Sequence, residues 1–154
     1  MYNREKAAEY AKAWALGRNP KYYNFDKLGG DCTNFISQCI FAGFGEMNYT
    51  RDTGWYFNSI NDRAAAWSSV EFLHKFLTKN KGRGPKAIEK VIDKNLEIGD
   101  IIQLSFDGNI FGHSLLVVDN NPVDPLICTH SDDSLGRPLS SYTYKKNRVL
   151  KIIS

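Results

Sequence analysis

The sequence predicts an α+β domain, with helices gathered in the first half of the chain and an antiparallel sheet in the second. Apolar residues recur at helical spacing in three stretches before Pro85, and after it the pattern changes to short runs rich in Ile and Val. Nothing helical separates those runs, so parallel crossovers have no connector and the strands are expected to pair antiparallel.

Residues 4–16, REKAAEYAKAWAL, are strong helix formers that place Ala7, Tyr10, Ala11, Trp14 and Ala15 on one stripe, and Gly17 with Asn19-Pro20 stops them. Turn residues from Tyr22 to Gly30 mark a loop. Cys32, Phe35, Ile36, Cys39, Ile40 and Gly43 then return at helical spacing. A glycine-containing polar stretch from Gly43 to Asp62 carries Trp55, Tyr56 and Phe57, aromatics that read first as core and second as a substrate groove. Ser68 or Ser69 caps a third helix whose inward positions are Val70, Leu73, Phe76 and Leu77, and NKGRGP ends it. Strands are expected near 87–92 and at 100–106, 110–119, 126–130 and 148–153.

With 154 residues, 42% hydrophobic and 24% charged, the chain has material for one core, taken as a single domain over 1–154; collagen, long disorder and heptad rods are excluded. The net charge is +3 and no Lys/Arg run exceeds two residues, so no nucleic-acid partner is expected. No window approaches a membrane span, the N-terminus lacks the apolar stretch of an export signal, and a monomer is expected. Neither CxxC nor HExxH occurs, so no metal or cofactor is expected.

The three cysteines, Cys32, Cys39 and Cys128, cannot all pair with one another. Cys32 and Cys39 fall about 10 Å apart along a helix axis, too far to bridge. Cys32 is the distinctive one: directly after Gly29-Gly30-Asp31 it opens a helix, where unpaired N–H groups and the helix dipole favour a thiolate. Asp31 is expected to cap that helix, although its charge opposes ionisation of the neighbouring thiol, so a further activating partner is required. Cys39 and Cys128 read as buried structural thiols.

Of three histidines, His74 sits on an amphipathic helix and reads as a surface residue. His113 and His130 flank Asn120-Asn121-Pro122, and a hairpin centred between Asn121 and Pro122 sets them opposite each other, Cβ atoms about 5 Å apart. One imidazole then orients the other, as a Cys-His pair requires. A one-residue slip instead brings Thr129 or Ser131 opposite His113, and Asp132 is another candidate orienter. Asp119 shares the face of His113 but lies about 20 Å along the strand.

GGDCTNFISQCIFAGF at 29–44, WYFNS at 55–59 with Trp67 and Val70, LEIGDIIQL at 96–104, GHSLLVV at 112–118 and CTHSDD at 128–133 together resemble, over nearly the whole chain, the bacterial "putative amidase domain" family, related to the papain-like NlpC-type cell-wall peptidases. The resemblance implies a papain-like fold and cysteine-dependent hydrolysis of an amide, in bacterial cell-wall peptide, with Cys32 as nucleophile, His113 as general base and His130 as orienter. It leaves Asp100, after Gly99, a structural role. The chain has DCTN where NlpC-type enzymes have DCSG, and a longer segment before the His strand, so their stem-peptide specificity does not carry over.

The implied chemistry is attack of the thiolate on an amide carbonyl and hydrolysis of the thioester. The Cys32 N–H is one expected oxyanion donor, and Tyr22 or Asn24 is the candidate for a second. Asp31 either contacts a substrate amine, as the corresponding acid does in NlpC-type enzymes, or caps the helix. The resemblance implies an enzyme of the secreted or cell-envelope compartment, processed or phage-released, with the cytoplasm as the alternative. A peptidoglycan-binding module using the aromatic loop around Trp55, an amide-cutting toxin or effector acting on protein, and a transferase passing the thioester to an amine are the competing readings.

Overall fold

A computed structural model describes residues 1–153; Ser154, the last residue of the expected domain, lies outside the described residues. The N-terminal helix α1 (Arg4–Trp14) begins where Asn3 accepts the N–H of Lys6 at 3.0 Å, a side-chain cap that satisfies one of the free first-turn donors. Its start is tied to the sheet. The Tyr2 hydroxyl donates to the Gly99 carbonyl at 2.8 Å, and Arg4 reaches the Asp100 carboxylate at 2.7 Å and the Ile152 carbonyl at 2.6 Å. Asp100 is wholly buried, so the Arg4 cation is what makes its burial tolerable, and its role is structural.

Helix α2 (Cys32–Phe44) is buried on nearly every side over its first three turns, because α1 covers one flank and the sheet another. It ends at Gly45, whose left-handed backbone (φ 82°) lets its N–H return to the Phe41 carbonyl at 2.7 Å. A short two-stranded ribbon, β1 (Phe57–Ser59) and β2 (Asp62–Arg63), leads into one turn of helix α3 (Ala65–Ser68) and then α4 (Val70–Lys79), where Ser69 serves as cap.

The sheet has six strands, β3 (Lys86–Lys90), β4 (Ile101–Ser105), β5 (His113–Asp119), β6 (Leu126–Thr129), β7 (Ser134–Pro138) and β8 (Lys146–Ile153), in the order β3-β8-β4-β5-β6-β7. Every neighbouring pair is antiparallel. Alternation splits the core in two. Ile101, Leu116, Cys128, Leu150 and Ile152 face the helices, and Ile102, Leu104, Leu115, Val117, Ile127 and Val149 face a second cluster closed by Leu96 and Leu139. The arrangement is the expected α+β, antiparallel class.

The β5–β6 register differs from the expected one. Leu116 pairs with Cys128 and Val117 with Ile127, a one-residue slip, and a bulge between Val117 and Asp119 absorbs the extra residue. His113 is therefore not opposite His130; at the end of β6 the Thr129 hydroxyl instead donates to the Ser114 carbonyl at 2.8 Å. The ribbon, α3 and β7 were not expected. Among the described residues no helix is long and apolar enough to cross a membrane.

Candidate functional site

Gly29 and Gly30 both have positive φ, 86° and 100°, and turn the chain sharply into α2. Cys32 is the first residue of that helix and is 8% exposed. Its Sγ lies 3.7 Å from the Thr33 hydroxyl. The Thr33 and Ser114 hydroxyls are themselves 3.1 Å apart, and Gln103 on β4 donates to Ser114 at 3.2 Å. Burial pushes the Cys32 thiol up, the Asp31 carboxylate adds to that, and the N–H groups of Ser114 and Thr33 oppose it.

His113 opens β5, one residue before Ser114, whose hydroxyl meets that of Thr33 beside the sulfur. Strand alternation turns Ser114 toward α2 and His113 toward the opposite face, where its ring lies 5.8 Å from that of Tyr142 and 6.2 Å from that of Phe106. Among the described residues no hydrogen bond joins the thiol to the imidazole; the two are neighbours through Ser114. Burial pulls His113 down to about 4, the Arg137 cation pulls the same way, and Asp132 pulls back. At neutral pH the ring is thus a free base.

His130 is engaged elsewhere, which corrects its expected role as orienter of His113. Its Nδ1 meets the Asp31 carboxylate at 2.5 Å, its Nε2 donates to the Trp14 carbonyl at 2.8 Å, and its ring stacks on Phe35 at 4.0 Å. Asp31 likewise departs from both expectations. Its side chain makes no cap bond to α2 and is fully buried, beyond reach of a substrate amine. Instead its Oδ1 accepts from the Phe25 N–H at 2.7 Å and from Asn34 at 2.9 Å. Asp132, exposed, pairs with Arg137 at 3.0 Å, and the Ser131 hydroxyl accepts from the Asp31 N–H at 3.1 Å.

The two candidates for a second oxyanion donor make their contacts away from the sulfur. The Tyr22 ring packs on Trp67 and Phe57, 5.9 and 5.5 Å between centroids, and Asn24 is exposed with its Oδ1 taken by the Asp26 N–H. Trp55 and Trp67 are wholly buried: Trp55 donates to Ser37 at 3.0 Å and Trp67 to Asn34 at 2.9 Å. They are core, so Trp55 offers no platform for a glycan. All three cysteines are free thiols.

Against this geometry, the family model described as "Putative amidase domain" matches residues 1–153. The chain belongs to that family. It is similar to "Uncharacterized protein YhbB" of Bacillus subtilis (strain 168), 32% identical over 141 residues that cover 89% of this chain and 44% of the relative. It is also similar to "Uncharacterized protein YjcM" of the same organism, 26% identical over 155 residues, covering 94% of this chain and 34% of the relative. The amidase-domain chain thus spans less than half the length of these relatives. No solved structure matches it. Membership points to hydrolysis of an amide bond.

Sequence reasoning missed two residues beside the candidate base, Arg137 and Tyr142. Arg137 lies over the Tyr142 ring at 3.7 Å and binds Ser141 as well as Asp132, and the buried Tyr142 hydroxyl has no hydrogen-bond partner among the described residues. Nothing in the sequence of this amidase-domain chain signals them, because they arrive from β7 and the segment after it, which carry no periodic pattern. Among the described residues no group of three or more His, Cys, Asp or Glu gathers as metal ligands.

Proposed function

We propose that this amidase-domain chain is a cysteine-dependent amidase or endopeptidase with a papain-like arrangement, in which Cys32 is the nucleophile and His113 the general base. The observation that carries the reading is the link from the Cys32 sulfur through the Thr33 hydroxyl, at 3.7 Å, to the Ser114 hydroxyl, 3.1 Å further on at the start of β5, which sets a helix-terminal thiol near the residue that follows a neutral imidazole. A buried thiol beside a free base supports proton transfer coupled to attack rather than a standing thiolate.

In this reading His113 takes the Cys32 proton as the sulfur attacks the carbonyl carbon. The tetrahedral oxyanion lies against the Cys32 N–H at the α2 terminus, and collapse expels the amine, which takes the proton from His113. Water activated by the same imidazole then hydrolyses the thioester. In the free protein the ring faces Phe106 and Tyr142, so this reading requires the His113 side chain to swing to the sulfur's side in the substrate complex. The substrate class proposed is the peptide of bacterial cell wall, acted on at the cell envelope.

The test is digestion of purified cell wall, with released fragments identified by mass spectrometry. Wild-type protein is expected to release new amino termini, and Cys32→Ala and His113→Ala to release none while keeping wild-type circular dichroism. Turnover that survives Cys32→Ala overturns the mechanism, and release of fragments without a new amine overturns the reaction class.

A further inference from the structure

A carboxylate directly before a nucleophilic cysteine is an electrostatic liability, since its charge disfavours the thiolate. Asp31 is such a carboxylate, and its influence on Cys32 is upward. Its surroundings determine whether that charge is felt. The loop between α1 and α2 brings Arg18, whose Nε lies 3.4 Å from Asp31 Oδ2, but its terminal nitrogens are held by Asp26 at 3.0 Å and Asp133 at 2.9 Å. Two carboxylates already claim that one cation. From α1 come the Trp14 carbonyl and the Tyr10 phenol, which burial keeps neutral and which bonds Gln38 and Asn19, and from α2 the neutral Asn34 and the Phe35 ring. The β5 side contributes His113, itself neutral, with Arg137 and Asp132 paired behind it.

That leaves His130. The Trp14 carbonyl can only accept, so His130 Nε2 carries a hydrogen. The 2.5 Å contact between Nδ1 and Asp31 Oδ2 cannot be two lone pairs face to face, so a proton lies there too. Whichever atom holds it, the Asp31–His130 unit is neutral, in a place where the histidine is 1% and the aspartate 0% exposed.

We propose that His130 is a charge-compensating residue for the nucleophile: by keeping a proton against Asp31 it silences the carboxylate next to Cys32. The role rests on Cys32 being the nucleophile. His130 acts on it through Asp31, not on His113, and touches no substrate. The pair also explains why Asp31 stands there: it holds the Phe25 N–H and Asn34 in the turn that aims the Cys32 N–H, a task for a multiple acceptor, while the histidine removes its electrostatic cost.

The experiment is the pH dependence of iodoacetamide alkylation at Cys32 in the full chain, followed residue by residue with mass spectrometry, with circular dichroism as the check on folding. In His130→Gln the Asp31 charge is uncovered, and the alkylation midpoint is expected to rise by about one pH unit, about tenfold slower labelling below it. Asp31→Asn leaves a neutral pair, the amide donating to Nδ1, and is expected to keep the midpoint within about 0.3 unit of wild type, as is the double variant.

Rescue by the second substitution is what a merely structural role would not give. An unchanged midpoint in His130→Gln, a double variant as slow as His130→Gln, or a fall of about one unit or more in Asp31→Asn overturns the proposal. Should His130→Gln fail to fold, Asp31→Asn alone decides. Failure of the parent reading looks different: Cys32 in the wild type then labels no faster than Cys39 and Cys128.

Discussion

The hydroxyls of Thr33 and Ser114 meet at 3.1 Å, and each belongs to the residue that directly follows one of the two proposed catalytic groups. The helix start and the strand start are thereby held in register by neighbours of the chemistry rather than by the reacting groups. Thr33→Val keeps the shape and removes the bond. Ser114 retains Gln103, so the expected loss of stability is modest, about 1 kcal/mol by urea unfolding. Turnover on cell-wall fragments is expected to fall about tenfold with little change in KM, because misplacement of the sulfur acts on the reacting geometry.

The buried, neutral His113 makes stability depend on pH with a definite sign. In the unfolded chain the ring protonates near its ordinary value of 6.5, whereas in the fold it resists protonation until about 4. The unfolded state therefore binds more protons between these limits, and stability is complete above about 6.5 and lost as pH falls through about 4. The full loss from this residue is about 3 kcal/mol. His113→Gln should lose correspondingly less between pH 7 and pH 4 in urea titrations, and an equal slope in both proteins would refute the assignment.

The elements that carry the site were legible because local pattern and local chemistry agree there. Cys32 follows two glycines and opens a helix with an apolar face, and Ile101–Ser105 and His113–Asp119 are Ile- and Val-rich or alternating runs whose pairing follows from the lack of any crossover. The hairpin register was not legible. It depends on a bulge between Val117 and Asp119 and on a loop with two prolines, where one residue more or less leaves the pattern unchanged. β7, SLGRP, contains Gly and Pro and sits at the sheet edge, where neither residue is penalised as it would be inside. Asp31 looked like a cap because caps are local, but its partner is His130, 99 residues away, and no spacing rule reaches that far.

Asn34 ties the turn before Cys32 to the buried Trp67. Its amide donates to the Tyr23 carbonyl at 2.8 Å and to Asp31 at 2.9 Å, while its oxygen accepts from Trp67 at 2.9 Å. Asn34→Ala strands the Trp67 N–H in a wholly buried setting and frees the loop that precedes Cys32. The expected cost is about 3 kcal/mol. Hydrogen exchange should then rise at residues 23–31 before it rises in the sheet, whereas uniform exchange across the fold would argue that the bond network is not local to the site.

Arg4 and Asp100 provide the contrasting case of an ion pair that serves the fold alone. Asp100 is fully buried, accepts from Arg4 at 2.7 Å and from the Glu97 N–H at 3.0 Å, and has Lys151 at 3.6 Å. Arg4→Ala leaves that carboxylate with two backbone N–H groups and, as its cation, a partly exposed lysine 3.6 Å away, and breaking one side of a buried pair costs about 3 kcal/mol or more. The double variant Arg4→Met with Asp100→Asn removes the charge along with its partner and should recover much of the loss. Because the pair joins the α1 start to β4 and β8, away from the thiol, turnover per folded molecule is expected to stay at the wild-type level in both. Activity that falls in step with the Arg4 substitution after correction for the folded fraction would instead mean that the α1 anchor bears on the Cys32 turn through Trp14 and His130.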